Sequence, residues 1–398
     1  MRELVCHAYR HVRYYRELFD SSSFHPSDFR SLSDLQKIPT STKQDLQILP
    51  PEKLVDRRYK IDKLVCRRTT GSTGIPFKVR CSWFEDRLLS TYALQTWSLF
   101  GFGLGTRMAK VKIVGQGSDL PETMRVLSRL GIFGMRMIHS LQEPDVVCRA
   151  LREYRPDVIV GYPGFLSHLA ADLDESDREA INPRFLIAGG ETMTPSMRRQ
   201  IEAGFGARVY ESYGSHEFHL IAAECPETGL LHVNERTVLL EVLNGDGEVG
   251  SGQGGETVIT ALHSFTQPFI RFRLGDWVER GPAPCPCGLP WATLKRVEGR
   301  KVDWIKLPGG DSIPPERLCM ALSMTMPWIK QYQIIQENRE SLLVKVLPFE
   351  PPRQSEIEQL SRALSEFVKG ELRCSYEFVD HIPLGPAGKF QLCRSACH

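Results

Sequence analysis

No excess of either charge marks this chain, in which 50 Lys+Arg face 48 Asp+Glu for a formal net charge of +2. No basic run stands out, so composition points away from nucleic acid and names no other partner. Missing too is any stretch of about 18 apolar residues, the length a bilayer-spanning helix requires, which leaves no membrane partner to expect. The opening Met1-Arg2-Glu3-Leu4 lacks the apolar core of a secretory signal, and a cytoplasmic location is the expectation. Internal repeats and low-complexity segments are absent, which excludes solenoids and compositionally disordered chains. The 11 cysteines are odd in number and have no secretory context, which argues against a disulfide framework and for reduced thiols or metal ligands.

What is present is α/β patterning. The 398 residues exceed the usual size of a single hydrophobic core, so a large domain and a smaller appended one are expected. Residues 1 to about 50 read as helices leading into a core. Short β-branched runs at 64–68, 108–114, 157–160, 185–188 and 208–210 alternate with helical patterns. Between the last two, Pro195 opens a helical stretch that ends at Gly204, with proline in the first turn and glycine at the end. Gly-punctuated strands at 255–260 and 269–273 read as a β-rich subdomain. After Arg300 the pattern predicts strands at 331–335 and 342–346, an amphipathic helix at 355–372 and a strand at 376–379, a separate α+β lobe.

The stretch Thr69-Thr70-Gly71-Ser72-Thr73-Gly74-Ile75-Pro76 concentrates hydroxyls and glycines directly after a strand-like run. Glycines let backbone N–H groups approach phosphate oxygens, and hydroxyls add donors, so such a loop can wrap a triphosphate. Alone it reads equally well as a surface turn. Four further stretches follow in order: Tyr210-Glu211-Ser212-Tyr213-Gly214-Ser215-His216-Glu217, Arg271-Phe272-Arg273-Leu274-Gly275-Asp276, Glu298-Gly299-Arg300-Lys301-Val302-Asp303, and Pro383-Leu384-Gly385-Pro386-Ala387-Gly388-Lys389. Single charges such as Asp276 or Lys389 are ordinarily solvated surface groups, so it is the ordered set that carries information.

Taken together these stretches resemble the adenylate-forming (acyl-CoA synthetase) superfamily, most closely its phenylacetate-CoA ligase and CapK-like branch, over nearly the whole chain. The segments Leu35-Gln36-Lys37-Ile38-Pro39 and Arg155-Pro156-Asp157-Val158-Ile159-Val160-Gly161-Tyr162-Pro163 are also similar to that branch. The resemblance implies a large N-terminal adenylate-forming domain, residues 1–299, of α/β layers plus a β-rich subdomain, and a small mobile C-terminal α+β lid, residues 300–398. It implies ATP-dependent activation of a carboxylic acid, aryl or specialised biosynthetic, as its acyl-AMP, followed by transfer to coenzyme A. A carrier-protein thiol, an amine, or an adenylyl transfer that leaves AMP on the product are the alternatives. The chain would act as a monomer or homodimer.

By position the resemblance assigns Thr69, Thr70, Gly71, Ser72, Thr73 and Gly74 to phosphate binding, and Gly190, Glu191, Ser212, Tyr213 and Gly214 to the nucleotide pocket. Glu217 would hold Mg²⁺, Asp276 the ribose diol, and Arg300 the nucleotide at the domain junction. Lys389 would serve the adenylation step, a role that suits a point positive charge where two anions meet. Tyr162, Pro163, Ser215, His216 and His219 are placed around the acyl group because ligands of α/β sheets bind at strand ends. The sequence departs from the family at three positions. Ile75 stands where many relatives have lysine, His216 where threonine is usual, and Val302 where the hinge carries Asp.

Separately, Cys285-Pro286-Cys287-Gly288 and the upstream Cys225 and His232 offer three thiolates and an imidazole, a closed set suited to structural Zn²⁺. The Cys-x-Cys spacing leaves ordinary free cysteines as an equal alternative, and a redox switch as a third.

Overall fold

The computed structural model describes residues 1–68, 77–112, 130, 132, 134–245, 247–383 and 390–397. The chain packs into two compact units, Met1–Gly101 with Ser212–Val297, and Phe102–Glu211 with Glu298–His398.

In the first unit the strands Gly247–Glu248, Val238–Asn244, Gly254–Ala261, Phe272–Arg280, Thr293–Arg300, Leu231–Val233 and His219–Glu224 are hydrogen-bonded in that order. Their shared core includes Phe218, Ile221, Ile259, Phe269 and Phe272. The N-terminal helices Arg2–His11 and Arg13–Ser21 bury Leu4, Val5, Ala8, Tyr15 and Phe19 together with Ile270. The Tyr15 hydroxyl donates to Pro268 O and accepts from Ile270 N, which fixes that helix pair to the chain entering the strand. The helix Trp83–Trp97 starts with a capping box in which Ser82 N donates to Glu85 Oε2 at 2.8 Å. The other Glu85 oxygen accepts the N–H groups of Phe265 and Thr266, so one buried carboxylate caps a helix and satisfies a distant loop.

Arg271 corrects one sequence expectation. The segment 269–273 predicts a strand, yet the strand begins at Phe272 because Arg271 takes a left-handed φ of 50°. Phe269 and Ile270 are buried as core instead. The Arg271 guanidinium forks onto Glu241 at 3.0 and 2.9 Å and also donates to Ile38 O at 2.7 Å. Burial pushes the Glu241 carboxyl pKa up, and Arg271 offsets part of that rise. Arg271→Met leaves this carboxylate buried without its cation, at a cost of about 3–5 kcal/mol. The expected result is a denaturant midpoint far below wild type, with much of the loss recovered when Glu241→Met is added.

In the second unit four parallel strands run in the order Phe185–Gly189, Val158–Gly161, Arg107–Lys112, Gly134–His139. Val158–Gly161 and Phe185–Gly189 are buried throughout, as strands covered by helices on both faces require. Helices Pro144–Tyr154, Pro163–Asp172 and Pro195–Phe205 each begin with proline, and the last is capped by Thr194 and ends at Gly206 with φ 65°. This is the α/β architecture expected.

The same unit holds a four-stranded sheet ordered Arg373–Phe378, Ser341–Pro348, Ile329–Asn338, Cys393–Ser395, with helices Pro315–Thr325 and Gln354–Phe367. Leu318, Leu322, Ile334, Leu342, Val344, Leu360 and Leu364 form its core. The helix predicted to reach residue 372 stops at Phe367, because Lys369 and Gly370 turn the backbone left-handed at φ 54° and 71°. The next strand consequently starts at Arg373, earlier than predicted.

Candidate functional site

A β-bulge builds the most informative part of the first unit. Strands Gly254–Ala261 and Phe272–Arg280 pair Glu256 with Trp277 but Val258 with Arg273, so 274–276 bow out opposite Thr257. Gly275, at φ 87°, supplies the turn that redirects Asp276. Thr257 Oγ1 donates to Asp276 O at 3.1 Å and steadies the bulge. The result brings together two residues 63 positions apart, as the Tyr213 hydroxyl donates to Asp276 Oδ2 at 2.8 Å.

Ser212, Tyr213, Gly214 and Ser215 end the strand Val209–Ser215, which turns through His216 and Glu217 into His219–Glu224. Any side chain at Gly214 would put its Cβ 2.2 Å from His219 O, so the hairpin requires glycine there. His219 itself is left-handed at φ 58°, and Glu217 is buried. The Arg67 guanidinium binds both His219 Nε2 and Asp86 Oδ1. Neither Arg67 nor Asp86 is conspicuous in the sequence. The available signal is that Arg67 belongs to the strand Val65–Arg68, whose last residue immediately precedes the Gly/Ser/Thr stretch.

In the second unit Tyr162 precedes helix Pro163–Asp172, with the Lys112 ammonium 5.4 Å from its ring centroid. Burial pushes the Tyr162 phenol pKa up, and the charge of Glu191 adds to the rise. Gly190, at φ 86°, turns the chain out of strand Phe185–Gly189. Glu191 then reaches two backbone amides, accepting from Gly164 N at 3.0 Å and from Phe390 N at 2.7 Å. Arg300 ends strand Thr293–Arg300. Thr69, Thr70, Gly71, Ser72, Thr73, Gly74, Ile75 and Lys389 lie outside the described residues, as does the side chain of Val302.

The Cys/His set forms one cluster. Ligand atoms of Cys225, His232, Cys285 and Cys287 all lie within 4.8 Å of one another, and His232 Nε2 is 3.2 Å from Cys287 Sγ. Two thiolates bound tetrahedrally at about 2.3 Å from Zn²⁺ stand roughly 3.8 Å apart, so the spacing fits with small adjustments. Each cysteine segment is a tight turn closed on its own carbonyl. Gly229 N donates to Cys225 O and Gly288 N to Cys285 O, both at 3.0 Å, and both glycines are left-handed. Three of the four residues are buried, and no fifth position for substrate is needed to complete the set. The donor chemistry therefore fits a structural zinc.

Residues 307–396 match the CapK C-terminal domain family. The chain is 25% identical over 352 residues to the phenylacetate-coenzyme A ligase of Thermus thermophilus, covering 86% of this chain and 78% of that one. It is 23% identical over 368 residues to protein CapK of Staphylococcus aureus, with 90% and 80% covered. Among solved structures, 2-hydroxyisobutyryl-CoA ligase in the postadenylation state with 2-HIB-AMP superposes with a TM-score of 0.78 at 21% identity. That match covers 95% of this chain and 84% of the other and shows a shared fold.

Proposed function

We propose that this chain, a homologue of the phenylacetate-coenzyme A ligases and of CapK with the fold of the adenylate-forming CoA ligases, is an ATP-dependent acid–thiol ligase. The observation that carries the reading is the bulge that sets Asp276 against Tyr213, because it presents a carboxylate hydrogen-bonded to a buried aromatic side chain. A carboxylate offers the two acceptors a ribose diol requires, and the ring supports a purine.

In the first half-reaction a carboxylate oxygen of the acid attacks the α-phosphorus of ATP. The bond to the leaving pyrophosphate breaks, and acyl-AMP forms. Residues 69–74 hold the departing phosphates, Glu217 holds Mg²⁺, and Arg300 and Lys389 offset charge around the α-phosphate. Mg²⁺, when bound, neutralises the pyrophosphate. In the second half-reaction a thiolate sulfur attacks the acyl carbon and AMP departs, the thiol proton having passed to solvent. Coenzyme A is the acceptor, and residues 300–398 act as the mobile domain between the two steps. Tyr162, Pro163, Ser215, His216 and His219 line the acyl group, which is an aryl or specialised biosynthetic acid. Zn²⁺ held by Cys225, His232, Cys285 and Cys287 is structural and takes no part in either step.

The test is acid-dependent ATP–pyrophosphate exchange across a panel of carboxylic acids, repeated with coenzyme A while AMP and thioester are followed separately. Exchange with thioester formation supports the ligase. Exchange without it redirects the acceptor to a carrier-protein thiol or an amine, a stable adenylated product marks an adenylyl transferase, and no exchange with any acid rejects the reading. Asp276→Asn removes a charged hydrogen-bond acceptor worth about 1.5–3 kcal/mol, so the KM for ATP is expected to rise roughly 10- to 100-fold. An unchanged KM would remove Asp276 from the ribose site.

A further inference from the structure

Glu191 makes contacts that a nucleotide-pocket residue has no need of. Its two carboxylate oxygens accept N–H groups from backbone 27 residues before it and 199 residues after it. The first donor, Gly164, is the second residue of helix Pro163–Asp172, one of the N–H groups that a helix leaves unsatisfied at its start. The positive end of that helix adds to the attraction for a carboxylate. The second donor, Phe390 N, belongs to the peptide bond formed with Lys389. The two strands of chain meet closely, since a Cβ on Gly164 would lie 2.4 Å from Phe390 Cβ. The Phe390 ring is buried in a cluster with Phe165, Leu166 and Ile382.

We infer that Glu191 is a positioning residue for Lys389 in the adenylation step. It acts by fixing the peptide that follows the lysine to the start of helix Pro163–Asp172. The inference rests on the ligase reading above and assigns Glu191 a task distinct from touching nucleotide. A carboxylate is required because both donors are N–H groups. Glutamine offers one acceptor and turns an NH₂ toward the other amide, while aspartate keeps the charge but is one methylene too short to span both. Glycine at 164 follows from the same contact.

The experiment compares wild type, E191Q, E191D, K389A and the E191Q/K389A double variant. The measurements are pyrophosphate-exchange kinetics, thioester formation from supplied acyl-adenylate, and amide hydrogen exchange at Phe390. Misplacing a reacting group by about 1 Å costs on the order of 10²-fold, so kcat for exchange in E191Q is expected to fall about 10- to 100-fold. The KM for ATP and the rate from acyl-adenylate are expected to stay within about twofold, E191D to lie between, and the Phe390 amide to exchange faster. In the double variant E191Q should add little to K389A, because both act through one group. A raised KM for ATP with unchanged kcat, or losses that multiply in the double variant, would overturn the inference while leaving the ligase intact. Should E191Q fail to fold, E191D decides: wild-type kcat with a wild-type Phe390 amide overturns it, and a depressed kcat with faster exchange supports it. A wild type inactive with every acid overturns both readings.

Discussion

Lys389→Ala is expected to lower acid-dependent pyrophosphate exchange by about 10²- to 10³-fold while leaving thioester formation from supplied acyl-adenylate near the wild-type rate. The magnitude follows from the loss of one preorganised charge at a centre where charge develops in the transition state. Two anions, the acid carboxylate and the α-phosphate, must be brought together, and a lysine ammonium is a compact positive charge on a flexible stem. Once the adenylate exists that repulsion is gone, which is why the second half-reaction should be spared. The KM for ATP separates this from a binding defect, since a lysine needed only in the transition state changes kcat and leaves ground-state affinity alone. If exchange by the alanine variant matched wild type, Lys389 would lose its assignment, while Tyr213 and Asp276 would stand on their own geometry.

How much of this was legible in the sequence depends on the range of the interaction involved. The strands Val158–Gly161 and Phe185–Gly189 were readable because burial on both faces is a local signal, and the start of helix Pro195–Phe205 because of its proline. The end of that helix is capped by Gly206 and not by the expected Gly204, which lies within the helix. Helix Gln354–Phe367 was overextended because its apolar pattern continues to Leu372, while the left-handed turn at Lys369 and Gly370 interrupts it. Arg271 broke a predicted strand for a similar reason, a backbone conformation fixed by partners at Ile38 and Glu241 far away in the chain. Among site residues, Tyr213 and Asp276 came from ordered motifs, and the bulge supplies what motifs cannot, the direction in which Asp276 points. Arg67, Asp86 and the amide contacts of Glu191 were invisible because each is a pairing across 19 to 199 residues of chain. A carboxylate that binds nucleotide and one that binds two backbone amides look alike until the partners are seen.

The Cys/His cluster yields an effect on stability that a bound metal would switch. Purified protein is expected to carry about one zinc per chain, and Cys285→Ser or Cys287→Ser to lose it. A structural zinc contributes its binding energy to folding, about 10–16 kcal/mol in apparent terms for small zinc-finger peptides that have no other core. Here the strand Leu231–Val233, which carries His232, is already paired on both sides, so only part of that energy depends on the metal. A loss of about 3 kcal/mol lowers the melting temperature of a unit this size by roughly 6–12 °C. The pH dependence has a definite sign: thiolates and neutral imidazole bind metal, so binding releases protons, and metal-dependent stability falls as pH falls. A strong chelator should therefore reproduce the melting temperature of Cys285→Ser in wild type and have no effect on the variant, and acidification should narrow the difference between the two. Exchange kinetics per folded molecule should be unchanged, because all four positions are filled by protein and none is open to substrate. Metal-free protein with wild-type stability in Cys285→Ser would return these residues to ordinary buried thiols and leave the two glycine-closed turns to be explained by packing alone.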